Sequence, residues 1–252
     1  MFIDTHAHLY LPDFEPILEE VLERTFHKIT AVYLPNIDLN SLEPMLQLHF
    51  RYPNKLFPMI GLHPCSVKAD FRDVLKIMES QLTKHHWAGI GEAGTDLYWD
   101  TTFWPEQKIA LEVQINWAKE TQKPIILHCR NSLEETIALV KSAQNGRLLG
   151  IFHCFGGTLA QAQQIIDLNF WIGVGGIVTY KNSNLPNTLK HVPLNRIVLE
   201  TDSPYLAPVP LRGKLNEPIN LTYIATALSQ IYDTDVPSIA KITSENATVV
   251  FS

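Results

Sequence analysis

The chain has 252 residues, 46% of them hydrophobic and 18% charged. An unfolded chain is excluded, because it would carry too little apolar surface to offset the entropy of ordering. The formal net charge is −6, from 20 Lys and Arg against 26 Asp and Glu, which argues against a protein that coats duplex nucleic acid through overall basicity. Three Cys in a chain of this length make no disulfide framework, so a reducing compartment is expected.

The first ten residues, MFIDTHAHLY, lack the basic start and apolar stretch of a secretory leader. Nowhere do about 18 apolar residues run together. The expectation is a cytoplasmic protein with no membrane contact and no obligate protein partner evident. Eight short apolar runs follow in chain order: Met1–Asp4, Thr30–Leu34, Leu56–Ile60, Trp87–Gly91, Pro124–His128, Leu149–His153, Phe170–Val174 and Arg196–Glu200. They are continuous rather than alternating in polarity, which predicts parallel strands buried on both faces.

Between the runs the pattern is helical. Ile17, Leu18, Val21 and Leu22 share one face, with Glu15, Glu19, Glu20 and Glu23 on the other. Ser132 stands three residues before Glu135, the spacing of a capping box. The stretch Asn182–Lys190 is short and interrupted by Pro. Leu221, Ile224, Ala225, Leu228 and Ile231 recur at helical spacing, and Val236–Ala247 predicts an extra C-terminal helix. Eight strand–helix units without a linker predict one α/β domain over residues 1–252, a single (β/α)8 TIM barrel. A doubly wound open sheet is the alternative. It usually has fewer strands, and no G-x-G-x-x-G follows the first strand here.

The polar residues fall on this scaffold in a pattern. His6 and His8 follow the first strand two residues apart, so an extended segment points both the same way. Glu92 follows strand four, His128 and His153 close strands five and six, and Asp202 follows strand eight. The C-terminal ends of barrel strands converge on one mouth. Four His and two carboxylates meeting there predict a divalent-metal site with two ions. Arg130 lies two residues past His128 and aims at the same mouth. Arg212 lies in the loop after strand eight. Either can grip a phosphate with its planar fork. His63 ends strand three at the same rim and can reach a phosphate. Tyr205, Trp99 and Phe155 lie in rim loops where they can stack on bases. Alternation points Cys129 and Cys154 away from the metal. Gly173, Gly175 and Gly176 predict a tight turn or the close approach of a ligand.

The motifs FIDTHAHL (2–9), GLHP (61–64), GIGEAGTD (89–96), ILHCR (126–130), HCFGG (153–157), IGVGG (172–176), LETDSPYLAP (199–208) and RGKLNEP (212–218) span nearly the whole chain. By these the sequence resembles the TatD-type metal-dependent hydrolases of the amidohydrolase superfamily. The resemblance implies a (β/α)8 barrel and metal-dependent phosphodiester hydrolysis, typically deoxyribonuclease activity. It implies that His6, His8, Glu92 and Asp202 hold one metal, and that Glu92, His128 and His153 hold the second, Glu92 bridging. Ala93 and Thr95 stand where the family commonly has bulkier aliphatics, and Cys65 where it commonly has a polar residue.

Water shared by two divalent ions (Zn, Mn or Mg) loses a proton near pH ~7, and the same ions polarise a phosphoryl oxygen. The expected chemistry is attack by a metal-bound hydroxide on a DNA phosphodiester, single-stranded or at an end. Glu92 and Asp202 are the catalytic carboxylates, with Asp202 taking the proton. A superfamily hydrolase of an amide, lactone or phosphotriester is the alternative. Many of those bridge their metals with a carbamylated Lys after strand four, where this chain has Glu92.

Overall fold

The computed structural model describes residues 1–252. Eight parallel strands follow one another around a single sheet: β1 (Phe2–Asp4), β2 (Ile29–Pro35), β3 (Leu56–Ile60), β4 (Gly89–Asp96), β5 (Ile125–Arg130), β6 (Gly150–Phe152), β7 (Phe170–Val174) and β8 (Ile197–Leu199). The helices are α1 (Leu18–Phe26), α2 (Leu39–Arg51), α3 (Phe71–Glu79), α4 (Trp104–Thr121), α5 (Leu133–Ala143), α6 (Leu159–Asp167), α7 (Leu185–Leu189), α8 (Leu221–Ile231) and α9 (Val236–Val250). This is the expected TIM barrel with its extra C-terminal helix. No helix is long and apolar enough to cross a membrane.

β1 and β8 form no ladder with each other. The segments that follow them close the ring instead. Thr5 N donates to Leu199 O at 3.0 Å, and Ala7 and Ser203 form a parallel bridge. The seam therefore lies among the residues of the mouth.

Two strands run further than their apolar stretches. β4 and β5 stay paired out to Asp96 opposite Arg130, so Glu92 lies within β4 rather than after it, and His128 lies two residues before the end of β5. An apolar run stops where a strand enters a polar mouth, although the backbone ladder continues.

Inward-facing Tyr33, Met59, Ile126, Ile151, Trp171 and Val198 pack into one cluster with Ala247 and Val250 of α9. Phe251 stacks on Tyr33 with ring centroids 3.6 Å apart. Asn246 Nδ2 donates to the carbonyls of Leu194 and Ile197 at the entry of β8. α9 thus seals the N-terminal end of the barrel. The larger cluster lies between strands and outer helices. There α1 buries Val21 and Leu22 and leaves Glu19, Glu20 and Glu23 to solvent.

The expected capping box at Ser132 and Glu135 does not form. Ser132 does sit at the N-cap of α5. Its hydroxyl donates to Thr95 O at 2.9 Å and accepts from Thr95 Oγ1 at 2.8 Å. Thr95 also meets the Thr136 hydroxyl, so the contact between β4 and α5 here is a polar one. Capping boxes form at Asp38–Ser41 and Thr158–Gln161 instead.

Candidate active site

The closing seam fixes the first three site residues. Asp202 N donates to His6 O at 2.9 Å, Ala7 N to Tyr33 O at 3.1 Å and His8 N to Ser203 O at 2.7 Å. Asp202 itself has φ 57°, a left-handed backbone that Asp tolerates better than most residues. Beneath them the fully buried Asp4 accepts from His6 N, Thr201 N and Thr201 Oγ1. Burial outweighs those bonds and pushes its carboxyl up to about 8.

Glu92 is aimed by a bulge. Between Ile90 and Ala93 the β4–β5 register shifts, and such an extra residue turns a side chain to a new direction. Its two oxygens then face two groups. Oε2 lies 3.1 Å from His6 Nε2 and 3.4 Å from His8 Nε2. Oε1 lies 3.0 Å from His128 Nδ1, 3.4 Å from His63 Nε2 and 3.6 Å from His153 Nε2. Asp202 Oδ1 stands 3.5 Å from His8 Nε2 and 3.7 Å from His6 Nε2. Burial alone would raise the Glu92 carboxyl, yet His6, His63 and His128 hold it well below the carboxylate range. All six residues expected to ligate metal therefore meet around one carboxylate.

What stands behind each ring sets which nitrogen is free. Tyr10 gives its own proton to Pro35 O, so its oxygen accepts from His8 Nδ1 at 2.9 Å. Asp96 Oδ2 takes His128 Nε2 at 2.9 Å. Glu200 Oε1 lies 3.0 Å from His153 Nδ1, close enough for an ion pair though not aligned as a hydrogen bond. In the neutral rings these partners leave the opposite nitrogen with its lone pair facing Glu92. His63 is set the other way. Its Nδ1 accepts from Cys65 N at 3.1 Å, so Nε2 keeps a proton and faces Glu92 as a donor. It lies past β3, as the N-cap of a 3₁₀ turn.

Burial disfavours the charged imidazoles. At His8, Asp202 and Glu92 overcome this and bring the pKa to about 9. At His153, Glu200 does so and brings it to about 10. His128 is also raised, through Asp96 and Glu92. Asp4, Tyr10, Asp96 and Glu200 were not singled out from the sequence. The three acids lie two or four residues from a residue that was, on the same face of an extended chain: Asp4 before His6, Asp96 after Glu92, Glu200 before Asp202. That spacing was the available signal.

A cavity of about 920 Å³ opens above the cluster, with Arg130, Arg212, Trp99 and Tyr205 on its rim. Trp99 is 66% exposed and Tyr205 50%. Phe155, expected beside them, is buried in the core at 3%, because its N–H bonds Gly173 O and pulls the loop down onto β7. Cys129 packs against the core as alternation predicted, and burial raises its thiol to about 12. Cys154 instead leaves the strand in a left-handed turn, its N–H donating to Glu200 Oε1. The glycines at the end of β7 are approached closely by the protein's own atoms. A Cβ on Gly173 would stand 2.3 Å from Glu200 Oε2, and one on Gly176 would stand 2.0 Å from Leu206 O. These glycines make room for the protein's own carboxylate and loop.

The donor set fits divalent metal. His6, His8 and Glu92 form one compact triad and His6, His153 and Asp202 another, while His128 Nδ1 faces the second oxygen of Glu92. His6 Nε2 and His8 Nε2 stand 3.2 Å apart, a crowding of lone pairs that a cation between them would relieve. His6 Nδ1 is buried with no partner at all. Nitrogen and carboxylate donors of this kind suit zinc, manganese or magnesium.

A barrel that carries such a cluster at its C-terminal mouth belongs to the class of metal-dependent hydrolases. Residues 3–252 match the family described as "TatD related DNase", and the chain belongs to that family. It is 33% identical, over 100% of its own length and 99% of the other, to an uncharacterized metal-dependent hydrolase, YabD, of Bacillus subtilis. Its fold superposes with a TM-score of 0.93 on YjjV, a TatD homolog from Escherichia coli K12, at 28% identity, covering 99% of this chain and 97% of that one. A TatD-family hydrolase from Entamoeba histolytica has the same fold, with a TM-score of 0.84 at 23% identity, covering 99% and 97%.

Proposed function

We propose that this metal-dependent hydrolase cleaves phosphodiester bonds of DNA. The observation that carries the reading is Glu92, whose two oxygens face two separate histidine groups beneath a cavity rimmed by arginines. His6, His8, Glu92 and Asp202 would hold one divalent ion, and Glu92, His128 and His153 a second. Bound there, zinc, manganese or magnesium would supply a water of lowered pKa and polarise the phosphoryl oxygen.

The chain's own residues do the rest. Asp202 is the more open of the two carboxylates, 15% exposed against 3% for Glu92, so it can meet the attacking water, orient it and take its proton. His63 Nε2 donates to a phosphate oxygen. Arg130 and Arg212 bind phosphates with in-plane N–H groups. An acidic protein with a few cations at one mouth suits a single strand or a strand end better than the flank of a duplex.

The test uses protein stripped with EDTA and restored with zinc, manganese or magnesium. A labelled single-stranded oligonucleotide is offered beside amide and lactone panels. The reading expects metal-restored cleavage of the oligonucleotide, lost again in EDTA. Turnover of an amide or lactone with none of the oligonucleotide would overturn it.

A further inference from the structure

Two arginines at the mouth lie over aromatic rings, as Arg72 and Arg196 do elsewhere in the chain. On the outer surface, Arg24 pairs with Glu217 and Arg51 with Glu19. Arg130 and Arg212 pair with no carboxylate. The Arg130 guanidinium lies 3.8 Å from the Tyr98 ring centroid and 5.0 Å from that of Trp99. The Arg212 guanidinium lies 4.6 Å from the Tyr180 ring centroid. Stacking occupies the face of a guanidinium and leaves its N–H groups, which lie in the plane, unspent. The supporting rings are themselves fixed. Tyr98 N and Trp99 N both donate to Asp96 Oδ1, at 2.8 and 2.9 Å, and the Tyr180 hydroxyl donates to Ala207 O at 3.0 Å. Each arginine is thus pre-positioned with its donors free.

Both arginines line the same cavity, yet they enter it from different sides. Arg130 ends β5, and Arg212 lies in the loop after β8, three strands further around a ring of eight. The histidine and carboxylate cluster lies at the base of the cavity they share. The two forks thus reach the cavity from strand ends three apart around the mouth. We infer that Arg130 and Arg212 grip two different phosphates of one single strand of nucleic acid, one on each side of the linkage that is cleaved. This rests on the phosphodiesterase reading and adds to it that the strand lies across the mouth. A cavity of about 920 Å³ is on the scale of a small-ligand pocket, with room for a few nucleotides of one strand. Trp99, exposed beside Arg130, offers its ring to a neighbouring base.

The test uses full-length, metal-restored protein and a set of single-stranded oligonucleotides. Each carries one neutral methylphosphonate linkage at a defined distance from the cleaved bond. Two sensitive positions are expected, one 5′ and one 3′ of that bond, each lowering kcat/KM by about 10–150-fold, the scale of a lost charge-assisted contact. Arg130→Ala should abolish sensitivity at one position only, and Arg212→Ala at the other only. Thermal melts establish that the variants fold, and the wild-type pattern stands without them. Sensitive positions on one side alone, or both variants acting on the same position, would overturn the inference. Wild-type cleavage of bis(p-nitrophenyl) phosphate separates the two levels. If no phosphodiester is cleaved, the phosphodiesterase reading fails. If diesters are cleaved with no flanking sensitivity, only the two-sided grip fails.

Discussion

The two ends of the barrel are built on opposite principles. At the N-terminal end, α9 lays Ala247, Val250 and Phe251 over the inward-facing residues of the strands. That end is closed and apolar. At the C-terminal end, the same strands and the segments after them carry five histidines and five acids into one cluster, with His6 Nδ1 left without a partner. Such a cluster is costly in an interior of low dielectric unless its charges are compensated. The comparison teaches that the bottom holds the barrel together, and that the mouth is organised around something the side chains do not themselves provide.

The largest effect should come from removing what compensates the mouth. Chelation, or Glu92→Gln, should reduce hydrolysis below detection while the far-ultraviolet circular dichroism stays native. Unfolding on chelation would show that the mouth also carries the fold. Next in size, Asp202→Asn keeps shape and loses a proton acceptor. Turnover should fall by at least ~100-fold, the scale of general-base catalysis. Near-normal kcat at full metal occupancy would remove Asp202 from that role.

A smaller effect should come from the layer behind the ligands. Asp96→Asn leaves His128 in place but weakens the charge that orients its ring. Metal affinity, read by chelator competition, should drop about 10–100-fold. An unchanged affinity would mean that Asp96 serves only the Tyr98–Trp99 loop.

Protonation sharpens the same point. His8 and His153 have pKa values raised to about 9 and about 10, so in stripped protein both are protonated at pH 7. Metal must displace those protons, and its affinity should climb as pH rises from 7 toward 9–10. Calorimetry in buffers of different ionisation enthalpy should report release of about two protons at pH 7. No release would contradict the assignment of these rings as ligands.

The smallest effect on catalysis should come from the bottom. Phe251→Ala removes the ring stacked on Tyr33 and should lower stability by about 2–4 kcal/mol, read by denaturant melts, with kcat unchanged. A large loss of kcat would show that the two ends are coupled.

How much of this could be read from the sequence follows from which signals are local. The apolar runs of β3 and β7 match their strands to the residue, because nine of their ten residues are buried. β4 and β5 continue past their apolar runs, since hydropathy reports burial among apolar atoms and not backbone pairing. The six residues expected to ligate metal were legible from their shared place at strand ends. Asp4, Asp96 and Glu200 were not, because an acid in sequence says nothing of a histidine behind it in space, even though each stands two or four residues from a chosen residue. Ser132 shows the converse. Its spacing to Glu135 fits a capping box, but Thr95 reaches its hydroxyl from another strand, a partner 37 positions away that no local pattern contains.

The central claim is that Glu92 stands between two ions. Titration of stripped protein with zinc or manganese, counting bound ions per chain for wild type and Glu92→Gln, tests it most directly. The account predicts two ions in the wild type and at most one of comparable affinity in the variant. Equal stoichiometry and affinity in both proteins would contradict it.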